Sequence, residues 1–187
     1  MVFVHLATGF EEIEALTIVD VLRRADVDAK TVSVTGNRTV TGRHGIVIEA
    51  DLLFEDADYS LCEMIALPGG MPGAANLKDH EGLAAQIRDF AKSGRPLAAI
   101  CAAPLVLAAH GALNGKSSTI YPGMEDYLKG AYPTGRNVTV DGNIITGLGP
   151  AAAMEFALTL VEFLKGSEVR EKVSGGLLFD RRHLTCD

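Results

Sequence analysis

Short apolar runs alternate with stretches of helical spacing along nearly the whole chain, and this alternation restricts the fold more than any single residue does. Val2 to Leu6 reads as a strand closed by Thr8-Gly9, and Phe10 to Ala25 follows at helical spacing. Ala29 to Val34 reads as a second strand, ending at Gly36-Asn37, while Thr39 to Thr41 and Ile46 to Ile48 suit a hairpin or an edge excursion. Met64 to Leu67 runs into Pro68-Gly69-Gly70, Glu81 to Ser93 is helical up to Gly94, and Leu97 to Ile100 is again strand. A helix from Ala102 to His110 comes next, stopped by Gly111. Val138 to Val140 and Asn143 to Thr146 flank Asp141-Gly142, a two-residue hairpin signal. Ala151 to Lys165 is a long helix stopped by Gly166, with a short one near Ser167 to Val173. Strands separated by helices of this length are βαβ units. They predict an α/β three-layer sandwich, a mainly parallel sheet with helices on both faces.

With 187 residues, 48% hydrophobic and 22% charged, the chain suits one domain over residues 1–180, followed by a loose tail at 181–187. A net charge of -7 with no basic cluster excludes a nucleic-acid footprint. No apolar run reaches the roughly 18 residues a membrane span needs, and Met1 to Leu6 lacks the basic start of a signal peptide. Cys62, Cys101 and Cys186 are odd in number and far apart, so neither a disulfide framework nor a paired-cysteine metal site is expected. That usage fits a reducing cytoplasm. No spacing of ligand residues points to a metal or an organic cofactor.

Sheets of this class bind ligands beyond the carboxyl ends of their strands, at the topological switch point. Thr8-Gly9, Gly69-Gly70 and Cys101 all follow such ends. Cys101 stands where an apolar strand turns straight into a helix, the placement of a nucleophile elbow with sulfur in place of oxygen. A helix N-terminus beside it predicts a lowered thiol pKa. The plain alternative is an inert buried cysteine. A Gly-Gly turn facing this elbow reads as a source of backbone N–H donors for an oxyanion.

The first helix adds a second group. At 100° per residue, Glu14 falls inside the stripe of Ile18, Val21, Leu22 and Ala25 that faces the core. A carboxyl there is expensive unless it has a role or a partner, and its pKa rises on burial. Glu14 is therefore a candidate general acid/base. Glu11 suits a first-turn acid that complements the helix dipole, and Glu12 points away as a solvated residue. On the opposite face Ile13, Leu16 and Val19 are rimmed by Glu12, Asp20, Arg23 and Arg24, which reads as a subunit contact. No histidine adjoins the elbow: Ala102 follows Cys101 directly, and His110 lies too far along its helix to reach back.

Phe10-Glu11-Glu12-Ile13-Glu14, Leu67-Pro68-Gly69-Gly70, Ala98-Ala99-Ile100-Cys101-Ala102-Ala103-Pro104, Tyr121-Pro122, and Gly149-Pro150 with Glu155-Phe156-Ala157 occur in the order seen in the ThiJ/PfpI superfamily. The chain resembles it over about residues 1 to 178, most of all the branch of the parkinsonism-associated protein deglycase and its bacterial relatives. The resemblance implies a flavodoxin-like (class I glutamine amidotransferase-like) sheet and a homodimer using the first helix. It also implies a reactive Cys101, a protonated Glu14, and backbone donors at Gly70 and Ala102. Gly69, Tyr121, Gly149 and Pro150 would line the site. Tyr121 stands where some members carry histidine, and the protease-like branch has histidine where this chain has Ala102.

Two functions follow. In one, Cys101 adds to methylglyoxal-type α-oxoaldehydes, or to their early adducts on protein and nucleotide groups, as a cofactor-independent glyoxalase or deglycase. In the other, an oxidisable Cys101 makes the chain a non-enzymatic redox sensor or stress chaperone. An amidase or peptidase lacks its histidine base.

Overall fold

In the computed structural model, which describes residues 1–179, the alternation becomes β1 (Val2–Leu6), α1 (Glu12–Arg24), β2 (Ala29–Ser33), β3 (Thr39–Thr41), β4 (Val47–Glu49) and β5 (Leu52–Leu53). It continues through β6 (Met64–Leu67), α2 (Gly73–Asp79), α3 (Glu81–Ser93), β7 (Leu97–Ile100), α4 (Pro104–Ala109), β8 (Ser117–Ser118) and β9 (Tyr132–Pro133). The last elements are β10 (Val138–Asp141), β11 (Ile144–Gly147), α5 (Ala153–Lys165) and α6 (Ser167–Leu177). The expected tail, with His183 and Cys186, lies outside the described residues.

Seven strands form the main sheet in the order β10-β11-β7-β6-β1-β2-β5. All neighbours are parallel except the β10–β11 hairpin, whose turn carries Gly142 at φ 63°. Every residue of β1, β6, β7 and β11 is buried, the pattern of strands covered on both faces. Helix α1 packs on α5 and α5 on α6, while α2 contacts both α3 and α4, so the helices form two groups. This is the flavodoxin-like arrangement. The chain order turns back at β1, where β2 lies on one side and β6 on the other, and the crevice opens there.

Local chemistry sets the helix ends. Glu11 caps α1, its Oε2 accepting from Glu14 N at 2.8 Å, and Arg23 and Arg24 complement the dipole in the last turn. His80 Nδ1 accepts from Leu83 N at the start of α3, which ends on Gly94 at φ 73°. Helix α4 is shorter than expected. Ala102 and Ala103 form a turn, and Pro104 takes the first helical position, where its missing N–H costs nothing. Helix α2 carries too few periodic residues to be read from sequence, and the two-residue strands β5, β8 and β9 are below the length at which alternation shows.

His5 is fully buried in β1, with Nε2 and the Tyr59 hydroxyl 2.6 Å apart and Phe3 and Phe54 edging the ring. Burial, with nearby His80 adding to it, lowers its pKa to about 3. A histidine kept neutral by folding stabilises the native state above its unfolded pKa of 6.5. That stability is lost as the pH falls toward 3, because the unfolded chain binds the proton more tightly. Between pH 6.5 and 4.5 the wild-type chain should lose on the order of 2–3 kcal/mol relative to His5→Gln, at about 1.4 kcal/mol per pH unit. Urea titrations of both proteins across that range check this. Parallel pH profiles would mean that His5 takes up its proton without cost.

Candidate active site

Cys101 closes β7 with a backbone φ of 63°, a left-handed conformation that non-glycine residues rarely adopt. It is fixed there by hydrogen bonds from Cys101 N to Gly147 O (2.9 Å) and from Tyr121 N to Cys101 O (2.9 Å). Such strain, held by the surrounding structure, is the mark of a nucleophile elbow. Gly69 lies against it so closely that a Cβ would sit 2.7 Å from Cys101 Cβ and 2.9 Å from Ala102 N. Gly70, at φ 89°, would drive a Cβ into Glu11 N and Gly9 O at 2.6 Å. These two positions must be glycine because the β6 and β7 ends and the start of α1 meet there.

Glu14 reaches this meeting point from α1. Its carboxyl is completely buried; Oε2 accepts from Gly69 N at 2.8 Å, and Oε1 has no hydrogen-bond partner among the described residues. Burial raises its pKa to about 7, with the Glu11 charge adding to the rise, against the Gly69 N–H and the neighbouring Cys101 thiol. The carboxyl is therefore balanced between its two forms near neutrality.

The expected depression of the thiol by a helix N-terminus is overturned. Burial, reinforced by an ionised Glu14, pushes Cys101 up to about 12. Helix α4 starts only at Pro104 and is six residues long, so its dipole is weak at the sulfur. The nearby backbone N–H groups of Gly70 and Ala102 work the other way, favouring a thiolate, and are outweighed. A proton on Glu14 favours it further, since it removes the opposing charge. The protonation of the thiol and that of the carboxyl are thus coupled. Cys62, pushed up to about 11 by burial and bonded to Met64 O, stands apart as a core residue.

Cys101 opens into a cavity of about 240 Å³ lined by Arg43, Gly70, Met71, Ala102, Tyr121, Pro122 and Met124. Among the described residues, no histidine lines it. Tyr121 and Pro122 also border a neighbouring cavity of about 330 Å³, and Gly149 and Pro150 line that one rather than the wall around the sulfur. Arg43, Met71 and Met124 come from loops whose sequences carry no periodicity. Only their position in the fold reveals them.

Several expectations around α1 change. Glu12 is not solvated: it is buried beneath the β3–β4 hairpin, where Oε1 accepts from His44 N at 2.6 Å and Oε2 lies 2.8 Å from His44 Nδ1. Those contacts hold its carboxyl below the usual range against the opposing effect of burial. Among the described residues, Glu11, Glu12 and His44 place ligand atoms within 4.8 Å of one another, so the expectation of no ligand cluster fails. Distant sequence positions meet there. Val19 is only 8% exposed and belongs to the chain's own core, since α5 packs against α1. Ile13 and Leu16 are exposed at 58% and 43% as expected. Arg23 bonds Asp51 and Ala29 O, and Asp20 pairs with Arg24, so both are engaged within the chain.

With this geometry established, comparison with known proteins decides the family. Residues 1–163 match the DJ-1/PfpI family. The chain belongs to it. An Arabidopsis thaliana relative, Protein DJ-1 homolog B, is 41% identical over 95% of this chain, which spans only 41% of that longer protein. The Caenorhabditis elegans protein named glutathione-independent glyoxalase DJR-1.2 is 34% identical, with 84% of each chain covered. The structure of oxidized DJ-1 from Toxoplasma gondii superposes with a TM-score of 0.92 at 37% identity, covering 96% of this chain and 98% of that one. No helix among the described residues is long and apolar enough to cross a membrane.

The folded-state pKa of Glu14, about 7 against an ordinary 4.5, means that its burial stabilises the fold only while the carboxyl is protonated. That contribution is lost as the pH rises from 4.5 through 7. Glu14→Gln keeps the Gly69 bond and cannot ionise. It should be more stable than wild type by on the order of 3 kcal/mol at pH 8, with the difference vanishing near pH 4.5. Denaturant melts at both pH values check this, and a constant difference would show that Glu14 titrates as if exposed.

Proposed function

We propose that this protein is a cofactor-independent glyoxalase or deglycase acting on methylglyoxal-type α-oxoaldehydes and their early adducts. One observation carries the reading: a cysteine held at a positive φ opens into a small cavity walled by Gly70 and Ala102, and a buried carboxyl with a raised pKa, bonded to Gly69 N, stands beside it. The relative named a glyoxalase supports it.

The Cys101 sulfur adds to the aldehyde carbon, and the thiol proton passes through Glu14 to the former carbonyl oxygen, giving a hemithioacetal. The N–H groups of Gly70 and Ala102 stabilise the charge that passes from sulfur to oxygen. Glu14 then removes the hydrogen from the sulfur-bearing carbon and returns a proton to the neighbouring carbon through an enediol. The first carbon ends at the thioester level and the second as an alcohol. Oxidation and reduction balance within the substrate, and no outside electron carrier enters. Water hydrolyses the thioester, releasing lactate and restoring the thiol. On an adduct, the amine, thiol or guanine group leaves as the sulfur arrives.

Cys101→Ser and Glu14→Gln should each lower methylglyoxal turnover by at least about 100-fold while leaving circular dichroism unchanged. Lactate production by the reduced protein measures this. Near-wild-type turnover in either variant would remove that residue from the mechanism, and no turnover by the parent would favour the sensor. In that second reading two equivalents of a peroxide oxidise Cys101 to the sulfinate and are reduced to water or alcohol, and protonated Glu14 hydrogen-bonds the product; that a Toxoplasma relative is known in an oxidized form supports it.

The functional form is a homodimer in the cytoplasm. Ile13 and Leu16 give α1 an exposed apolar face, and Ile46 and Val47 extend exposed apolar surface onto the β3–β4 hairpin. In a two-fold contact, Leu16→Glu sets a desolvated charge against its own symmetry copy. Light scattering should show the variant shifting from dimer to monomer with unchanged circular dichroism. A monomeric wild-type protein at micromolar concentration would refute the interface.

A further inference from the structure

We propose that Glu11, Glu12 and His44 form a binding site for a divalent metal ion of the zinc class, with Glu11 Oε1, Glu12 Oε2 and His44 Nδ1 as its ligands. The donor set is imidazole and carboxylate, a combination used for zinc and its neighbours, and it leaves a coordination position for water.

Each carboxylate spends one oxygen on a backbone N–H, and that bond aims the other oxygen. Glu11 Oε2 accepts from Glu14 N at 2.8 Å, which leaves Oε1 without a hydrogen bond, 4.0 Å from His44 Nδ1. Glu12 Oε1 accepts from His44 N at 2.6 Å, which leaves Oε2 2.8 Å from the same ring nitrogen. Bonds of this kind orient metal ligands in established sites. Ligand atoms around a tetrahedral ion with bonds of roughly 2.0–2.1 Å lie about 3.3 Å apart. The two distances from Nδ1 bracket that value, and all three ligand atoms lie within 4.8 Å of one another, close enough for side-chain rotation to gather them around one ion.

Charge points the same way. The side chains of Glu11 and Glu12 are 7% and 4% exposed, adjacent in sequence, and without a Lys or Arg ion pair among the described residues. Among those residues His44 is the basic side chain beside them, and it is 64% exposed, so an ion can enter from solvent at the ring. The ion takes the place of the Nδ1–Oε2 hydrogen bond. It thereby joins the start of α1 to the β3–β4 turn, next to Arg43 in the wall of the Cys101 cavity. None of this depends on the reaction assigned to Cys101.

Thiols also bind zinc, so the test uses the full chain with Cys101→Ser and Cys186→Ser, Cys62 being buried in the core and bonded to Met64 O. Calorimetric titration with Zn²⁺ should show one equivalent bound with a dissociation constant below about 10 µM. With Co²⁺ the same site should give visible absorption at the same stoichiometry. His44→Ala and Glu11→Gln should each weaken Zn²⁺ binding by at least about tenfold. His44 is exposed, and the amide oxygen that Glu11→Gln introduces can still accept from Glu14 N. Circular dichroism of both variants should therefore match wild type, while His110→Ala should bind as wild type. No stoichiometric binding, or unchanged binding in either ligand variant, would overturn the proposal.

Discussion

The hydrogen bond from Gly69 N to Glu14 Oε2 is the contact around which the rest of the site is arranged. It joins the end of β6 to the first turn of α1, and it forms only because the β7 end presses on Gly69 from the other side. A side chain at position 69 would occupy the space of Cys101 Cβ, and one at position 70 would strike the backbone of Gly9 and Glu11. The parallel sheet brings these segments to one edge, and the glycines let them close. Cys101 holds its left-handed conformation because Gly147, Tyr121 and Gly69 confine it, so the strain is offset by contacts made elsewhere.

Electrostatics follow from that closure. A carboxyl and a thiol are buried side by side; the ionised carboxyl opposes ionisation of the thiol, while the thiol hydrogen favours the carboxylate. The pair therefore keeps one proton over a wide pH range, and the proton's position decides whether sulfur or oxygen carries the charge. Holding Glu14 there costs stability above neutrality, because an ionised carboxyl is buried at that position. The cost falls on the same bond geometry that orients the carboxyl, so stability and orientation are not separately adjustable at this position.

The sheet, most of its helices and the central pair were legible because each rests on periodicity or on an abrupt change of it. Continuous apolar runs marked β1, β6 and β7, and the break at Cys101 marked the elbow. The break in the apolar stripe at Glu14 marked a carboxyl that the fold buries against Gly69 N. What stayed hidden depends on packing between distant segments. Arg43, His44, Met71 and Met124 reach their places from loops, and no spacing rule connects His44 with Glu12, 32 positions away. Val19 reads as surface on a lone helix and becomes core only because α5 covers that flank. The thiol's electrostatics misled for a related reason. The turn at Ala102-Ala103 delays the helix, so the nearest strong influence on sulfur is a carboxyl from another element.

The first turn of α1 shows why adjacent acids need not be redundant. Glu11 sits just outside the helix and caps it, so its backbone direction differs from those that follow. Glu12 and Glu14 are separated by about 200° of rotation and face opposite sides. Glu14 therefore lies under the sheet edge, while Glu12 does point away from the core, as the helical wheel requires. The β3–β4 hairpin rather than water covers it. Ile13, between them, faces outward. One turn thus ties the thiol site, the hairpin and an exposed apolar face to a single rigid element. A displacement of that helix by even a fraction of its pitch would disturb all three together.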